Sequence, residues 1–513
     1  GLRCHPQFVE PTTADCDHDI DTVRAMATAN VLLLPEPGSG HLMSLIEAGK
    51  RLLAHGGDEA ELTVTVLIIR PATPESASEV DSHVRRVAAS ASGLGIRFHR
   101  LPAVDPPTDC AGNLQEFKSR YMQLHAPHVR AALADLGAAA LVLDFFATAV
   151  IDAARELAVP TYVYFTSTAA LLALTLRLPA LAVEAEALDD GAVDVPGMPP
   201  VPAGSVPGFL GDKESPNYAW FVYHGRRFMD ADGIVINTVD ALEPGLLAAI
   251  AAGRCVPGRR APPLYPIGPV IDHAVEASNE PCVRWLDAQP RASVVFLCFG
   301  SLGWFDAAKA NEVAAGLECS GHRFLWTLRG PPAAGSRHPT DANLDELLPA
   351  GFLERTEGRG LVWPRRAPQK EILAHAAVGC FVTHCGWNST LESLWHGVPL
   401  VPWPLYAEQH LNAFELVSVV GVAVAMEVDR ARDNFVEAAE LERAVRCVMG
   451  GGPEEEEGRL AREKAVKMKA ACRRAVEEGG SSYDALHRLR HAIRSGTTTR
   501  CTGAASPISG EMS

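Results

Sequence analysis

The chain has 513 residues, of which 47% are hydrophobic and 21% charged, and it carries a formal net charge of −16. That length exceeds one ordinary core and calls for two domains, while the acidity excludes nucleic acid and anionic membrane surfaces as partners. Twelve cysteines without C-x-x-C pairing favour reduced thiols over a disulfide framework or metal site, and no apolar run reaches the roughly 18 residues of a membrane span.

Residues 1–25 are polar, lack the apolar core of a signal peptide, and read as an upstream extension before a natural start at Met26. The stretch 26–265 alternates short apolar strands, expected at 31–35, 63–69, 141–144, 160–165 and 233–237, with helical segments. Leu42, Leu45, Ile46, Gly49, Leu52 and Leu53 repeat at the spacing of a helix packed on a sheet. Such alternation implies a parallel, doubly wound sheet. The run Pro262–Pro269 is dense in proline and reads as a connector that resists helix and sheet, leading into a linker over 266–283. A second α/β unit follows over 284–480, with strands expected at 294–299, 323–328, 361–363, 378–383, 399–402 and 422–427. Its helices are expected at 306–320, 389–396, 409–420, 437–449 and 458–477, with Glu454–Glu457 as a solvated helix start. A last helix is expected over 481–495, then a disordered tail from 496.

Turns at strand ends carry the chemistry. The first strand ends in Pro35-Glu36-Pro37-Gly38-Ser39-Gly40-His41, with a helix from Leu42. The positive end of that helix disfavours an imidazolium, so His41 is expected neutral and able to accept a proton as a general base. Asp144 closes the strand over 141–144; it can cap a helix or hold the tautomer of a catalytic histidine. Farther on, the strand 378–383 enters His384-Cys385-Gly386-Trp387-Asn388-Ser389, and a helix opens at Ser389. A strand, a glycine turn and a helix N-terminus present free N–H groups to a phosphate. Ser389 and Glu392 also spell a capping box, a purely local reading. Ser301, in Phe299–Gly303 after the strand 294–299, sits at a second such strand end.

The segment Arg366–Gln409 closely resembles the signature box of plant secondary-product glycosyltransferases, the UDP-sugar-dependent enzymes of glycosyltransferase family 1. The resemblance implies the α/β GT-B fold, two Rossmann-like doubly wound domains facing a central cleft, with the helix at 481–495 crossing back onto the first. It implies that His384, Asn388 and Ser389 contact the donor phosphates, that Gly386 lets the backbone approach, and that Ser301 joins them. It further places Ala367 and Gln369 in the donor site, assigns Glu392 to the ribose hydroxyls, and gives Trp387, Glu408 and Gln409 the sugar, pointing to glucose. The family opens this box with a tryptophan that stacks on uracil; here that place holds Arg366, whose guanidinium plane can stack on a base, with Trp363 close by and a weaker donor affinity expected. Cys380, where relatives often carry glycine, reads as packing.

By the same resemblance His41 deprotonates the acceptor hydroxyl with Asp144 as its partner, and one displacement inverts the sugar of UDP-glucose without a metal. Gly40, Tyr121, Phe145, Phe146 and Met198 are expected around the acceptor, and aromatic walls suit a flat phenolic. The first half is similar to grass enzymes that glycosylate flavonoids, which implies a flavonoid acceptor; the reduced thiols point to a cytoplasmic protein, and a monomer is expected. Another UDP-sugar (galactose, xylose or glucuronate) and a C-glycoside product stay open. A nicotinamide-dependent oxidoreductase would use the G-S-G turn, but Gly38 and Gly40 are followed by Leu42 and Met43, which leaves the dinucleotide fingerprint incomplete. A binding protein without turnover would have no need of both His41 and Asp144.

Overall fold

Runs rich in Val, Ile and Leu have no polar face for water, so they form strands covered on both sides by helices. The computed structural model describes residues 28–503 except 55–61, 91–94, 111, 184–190, 276–277 and 452–454; the extension expected at 1–25 lies outside the described residues. The first half builds β1 (Ala29–Leu34), β2 (Leu62–Ile68), β3 (Ile96–Arg100), β4 (Ala138–Asp144), β5 (Thr161–Phe165), β6 (Gly233–Ile236) and β7 (Leu264–Pro266). They pair in parallel in the order β3-β2-β1-β4-β5-β6-β7.

Two of these strands depart from expectation. β3, Ile-Arg-Phe-His-Arg, is a polar edge strand whose composition hides it. β7 lies inside the proline run read as a connector, and corrects that reading: Leu264, Tyr265 and Pro266 pair with Ile234, Val235 and Ile236. It is the outermost strand of its sheet, and an edge tolerates the missing proline N–H.

The second half builds β8 (Val294–Cys298), β9 (Arg323–Thr327), β10 (Gly360–Trp363), β11 (Val378–Thr383) and β12 (Leu400–Pro402), parallel in the order β10-β9-β8-β11-β12. The strand expected at 422–427 does not form. Ala423 makes a single bridge to Leu400 after the chain turns at Gly421, at φ 71°. The helix expected over 409–420 is α-helical only for Gln409–Glu415 and continues as a π-helical turn over Leu416–Val420.

Each sheet has one point where the strand order reverses: between β1 and β4 in the first half, and between β8 and β11 in the second. Crevices at the carboxyl ends of such strands bind ligands. In the first half the helix Ser39–Ala54 lies hard against β1, because a Cβ on Gly49 would come within 2.7 Å of a Leu33 methyl. This close approach aims the helix N-terminus, with His41 on it, over the end of β1.

The last helix, Ser481–Gly503, returns to the first half. Ala485, Leu486, Leu489 and Ile493 are buried in one cluster with Val31, Leu33, Leu45 and Val64. Arg490, 1% exposed, donates to the Leu52 carbonyl from the same face. The helix also passes through the start of the tail expected to be disordered, since extending a docked helix gains one backbone hydrogen bond per residue fixed. Among the described residues no helix is long and apolar enough to cross a membrane.

Leu489 is 3% exposed, so Leu489→Ala is expected to lower stability by about 2–4 kcal/mol, read as an earlier midpoint in a denaturant titration of the full chain.

Candidate active site

On the first half, His41, on the helix that follows β1, meets Asp144, the last residue of β4, and these two strands flank the order reversal. The His41 Nδ1 lies 2.7 Å from Asp144 Oδ2, with the imidazole 22% exposed and the carboxylate fully buried. Asp144 plays both parts that the sequence left open. Its Oδ1 accepts from the Phe146 N–H at 3.0 Å and caps the turn Phe145–Val150, while Oδ2 holds the histidine. With Nδ1–H donating to the carboxylate, Nε2 keeps its lone pair for a substrate proton.

The proton affinity of His41 runs opposite to the helix-dipole expectation. Burial, the largest single influence, pushes the imidazole down and Lys118 adds to it; the charge and hydrogen bond of Asp144 together with the charge of Glu36 outweigh both, and the net shift is upward. A carboxylate in direct contact outweighs the partial charge of a helix end. Glu36 went unrecognised in the sequence, although it sits in the same turn. It is 5% exposed, accepts from the Gly38 N–H at 2.9 Å, and lies 3.4 Å from Lys118 Nζ, which itself stands 5.0 Å from the Phe146 ring centre. Net, Glu36 is held below the usual carboxylate range: burial raises it, and Lys118, His41 and the Gly38 N–H more than offset that.

Of the expected acceptor walls, Phe145 and Phe146 flank the imidazole with ring centres at 5.6 and 5.8 Å. Gly40 is exposed beside it, with nothing within 4 Å of where a Cβ would stand. Tyr121 corrects its expectation: it is 4% exposed, sits in the core, and spends its hydroxyl on the Arg70 carbonyl at 2.8 Å. Met198 is half-buried against the same core. A cavity of about 630 Å³ opens between the halves, bordered by Gln115, Phe209 and Asn217 on one side and Tyr406, His410 and Arg430 on the other. His41 and Asp144 are not in its walls.

On the second half, the helix Trp387–His396 starts two residues before the expected Ser389, with Gly386 at its N-cap. Ser389 is therefore inside the first turn, and the capping-box reading falls. Instead the Gln369 amide donates to Ser389 Oγ at 2.9 Å and to a Glu392 carboxylate oxygen at 2.7 Å. Burial pushes Glu392 up to about 7, so this carboxyl can donate to a hydroxyl as well as accept from one. Ala367 is half-buried against the core alongside. Asn388 leaves its buried amide oxygen without a partner at the helix start.

His384 directly follows β11, with its ring wedged between two glycines. A Cβ on either Gly300 or Gly386 would lie 2.5 Å from its Nε2, and Gly300 takes φ 74°. Burial pushes the ring down to about 4, so it is neutral. With the Thr383 hydroxyl donating to Nδ1, 3.4 Å away, Nε2 carries the N–H. Exposed Ser301 follows directly after Gly300. A neutral N–H, a helix start and a glycine turn converge where an anion would be held. Cys380 is fully buried and its thiol is pushed far up by burial, as packing requires.

Several expected sugar and base readers are engaged elsewhere. The Trp387 ring is 4% exposed and its indole N–H donates to the Asn237 carbonyl of the first half at 2.6 Å; the face expected to meet a sugar is inside the core. Gln409, 3% exposed, accepts from the N–H groups of Leu405 and Tyr406 at 2.9 and 3.0 Å, so its carbonyl shapes the loop before it. Glu408 accepts from the Ser167 hydroxyl of the other half at 3.1 Å. Arg366 reaches across to Glu79 at 3.4 Å with its side chain 68% exposed. Trp363 is buried, donates to the Arg366 carbonyl at 3.4 Å and is covered by Arg365, so it offers no platform. Ser167, Asn237 and Glu79 had no sequence signal, because each is defined by a partner in the opposite half.

The profile of the family described as UDP-glucoronosyl and UDP-glucosyl transferase matches residues 265–455. A rice protein (Oryza sativa subsp. japonica) named malvidin galactosylase is 57% identical over 480 residues, covering 91% of this chain and 98% of that protein. The chain belongs to the UDP-glycosyltransferases. An anthocyanidin 5,3-O-glucosyltransferase from a Rosa hybrid cultivar is 38% identical, covering 90% of this chain and 98% of the rose protein. Among solved structures, that of Phytolacca americana UGT2 with UDP-2fluoro-glucose and pterostilbene is 34% identical, with a TM-score of 0.76 over 90% of this chain and 99% of that one. The two parallel sheets are thus the two halves of a GT-B glycosyltransferase.

Two outcomes follow from these contacts. Asp144→Asn removes the carboxylate that raises His41, so the acid limb of the pH–rate profile is expected to move to lower pH while kcat falls by about 10²-fold or more. Gly300→Ala puts a methyl against His384 and strains a left-handed residue, and UDP affinity measured by calorimetry is expected to weaken by about tenfold.

Proposed function

We propose that this protein transfers a hexose from a UDP-hexose to a hydroxyl of a small flavonoid-type phenolic, with inversion, and that the hexose is galactose. The observation that carries the mechanism is the His41–Asp144 pair at 2.7 Å beside the Phe145 and Phe146 rings. The acceptor hydroxyl gives its proton to His41 Nε2 as its oxygen attacks the anomeric carbon. The bond from that carbon to the UDP oxygen breaks on the opposite face, and Asp144 stabilises the imidazolium formed. UDP departs with its new charge facing the His384 N–H and the start of the helix Trp387–His396. Gln369, Ser389 and Glu392 form the polar set that suits ribose hydroxyls.

Galactose and the flavonoid acceptor are supported by the name of the rice relative, and a phenolic acceptor also by the pterostilbene bound to the Phytolacca enzyme. Glucose is the second reading. It is favoured by the Glu408–Gln409 ending of the box and by the rose relative.

Equimolar UDP-galactose and UDP-glucose offered with malvidin, and the product hexose identified by chromatography, test the donor; a glucoside as main product reverses the assignment. His41→Ala is expected to lose turnover by about 10³-fold while UDP still binds; near-normal turnover removes His41 from the mechanism.

A further inference from the structure

Two carboxyl groups from opposite halves meet in the dry contact between them. Glu243 follows β6 and Glu415 ends the helix Gln409–Glu415; both are 0% exposed and within hydrogen-bonding reach of each other. Two carboxylates cannot both be charged in such a place. The surroundings decide which one holds the charge. Glu243 accepts from the Thr238 hydroxyl, from the Ala170 N–H at 3.2 Å, and from the Ala169 N–H, at the start of the helix Ala169–Leu181. Glu415 has the Thr168 hydroxyl beside it, and the charge acting on it is that of Glu243. Asn412, one turn earlier, turns its amide N–H to the Cys385 carbonyl at 2.9 Å. Counted as a carboxylate, neither Glu415 oxygen makes a hydrogen bond of good geometry, even with the Thr168 hydroxyl near. With a proton, it becomes the donor that Glu243 accepts.

We propose that Glu243 and Glu415 are a positioning pair, in which one shared proton clasps the helix Gln409–Glu415 to the acceptor half. That helix opens with Glu408 and Gln409, and Glu408 already touches Ser167 of the other half. The link to catalysis rests on the family resemblance, which places Glu408 and Gln409 at the donor sugar. Burial raises both carboxyls, Glu415 the more strongly because Glu243 adds its charge. A group whose pKa is raised by folding contributes stability that is complete below its unfolded value and is lost as pH climbs through the folded one. The clasp therefore loosens on the alkaline side.

The test follows the thermal midpoint of the unliganded full chain, and the UDP-hexose KM, from mildly acidic to alkaline pH. In the wild type the midpoint is expected to fall and KM to rise by about fivefold or more as the shared proton leaves. Glu415→Gln supplies a permanent N–H donor to Glu243, so both readouts should stay flat over that range. The double variant Glu243→Gln, Glu415→Gln pairs two neutral amides and should be equally flat, which keeps the test open if the single variant folds badly. Midpoints that fall in parallel in the wild type and the variants overturn the clasp, whatever KM does. A midpoint difference with identical KM profiles upholds the clasp and removes Glu408 and Gln409 from the donor sugar.

Discussion

The hydrogen bond from the Trp387 indole to the Asn237 carbonyl fixes how one half of this protein meets the other. Both partners are buried, and a buried indole N–H or carbonyl without a partner is costly. Trp387 is the first residue of the helix whose start faces the proposed anion site, and Asn237 lies just beyond β6. Asn237 also accepts from the Val270 N–H through its side chain at 2.6 Å, so the connector is tied to the same point. Each parallel sheet can offer chemistry only at its carboxyl edge, and a two-substrate reaction needs those edges to face each other. The Trp387 contact holds them in that relation, and the Ser167–Glu408 bond repeats the arrangement closer to the chemistry.

The division of labour between the halves follows from their electrostatics. The acceptor side gathers carboxylates around one histidine, which favours a proton on it. The donor side isolates another histidine in apolar surroundings, which keeps it neutral. In the proposed reaction the same side-chain type is thus set for opposite duties: taking up a proton in one place, and offering an N–H to a developing anion in the other.

What the sequence disclosed was local. The strands β1, β2, β4, β5 and β6 announced themselves by apolar runs, and His41, Asp144 and His384 by standing at strand ends. What it hid was set by neighbours distant in the chain. The proline run reads as a breaker until β6 is seen to leave an edge open for it. Trp387 reads as a sugar platform until its N–H is seen to have a carbonyl waiting in the other half. Gln409 reads as a ligand reader until the backbone it supports is drawn. Residue type predicted the capacity for an interaction; tertiary placement decided which interaction was taken.

The return of the helix Ser481–Gly503 to the first half has a consequence for how the molecule is made. Ala485, Leu486, Leu489 and Ile493 complete the apolar layer over β1 and β2, so these strands, made early, wait for a segment far later in the chain before their outer layer is sealed. Until then an apolar trough stays open to solvent, and chaperones have their longest claim on the nascent chain at the half that is synthesised first.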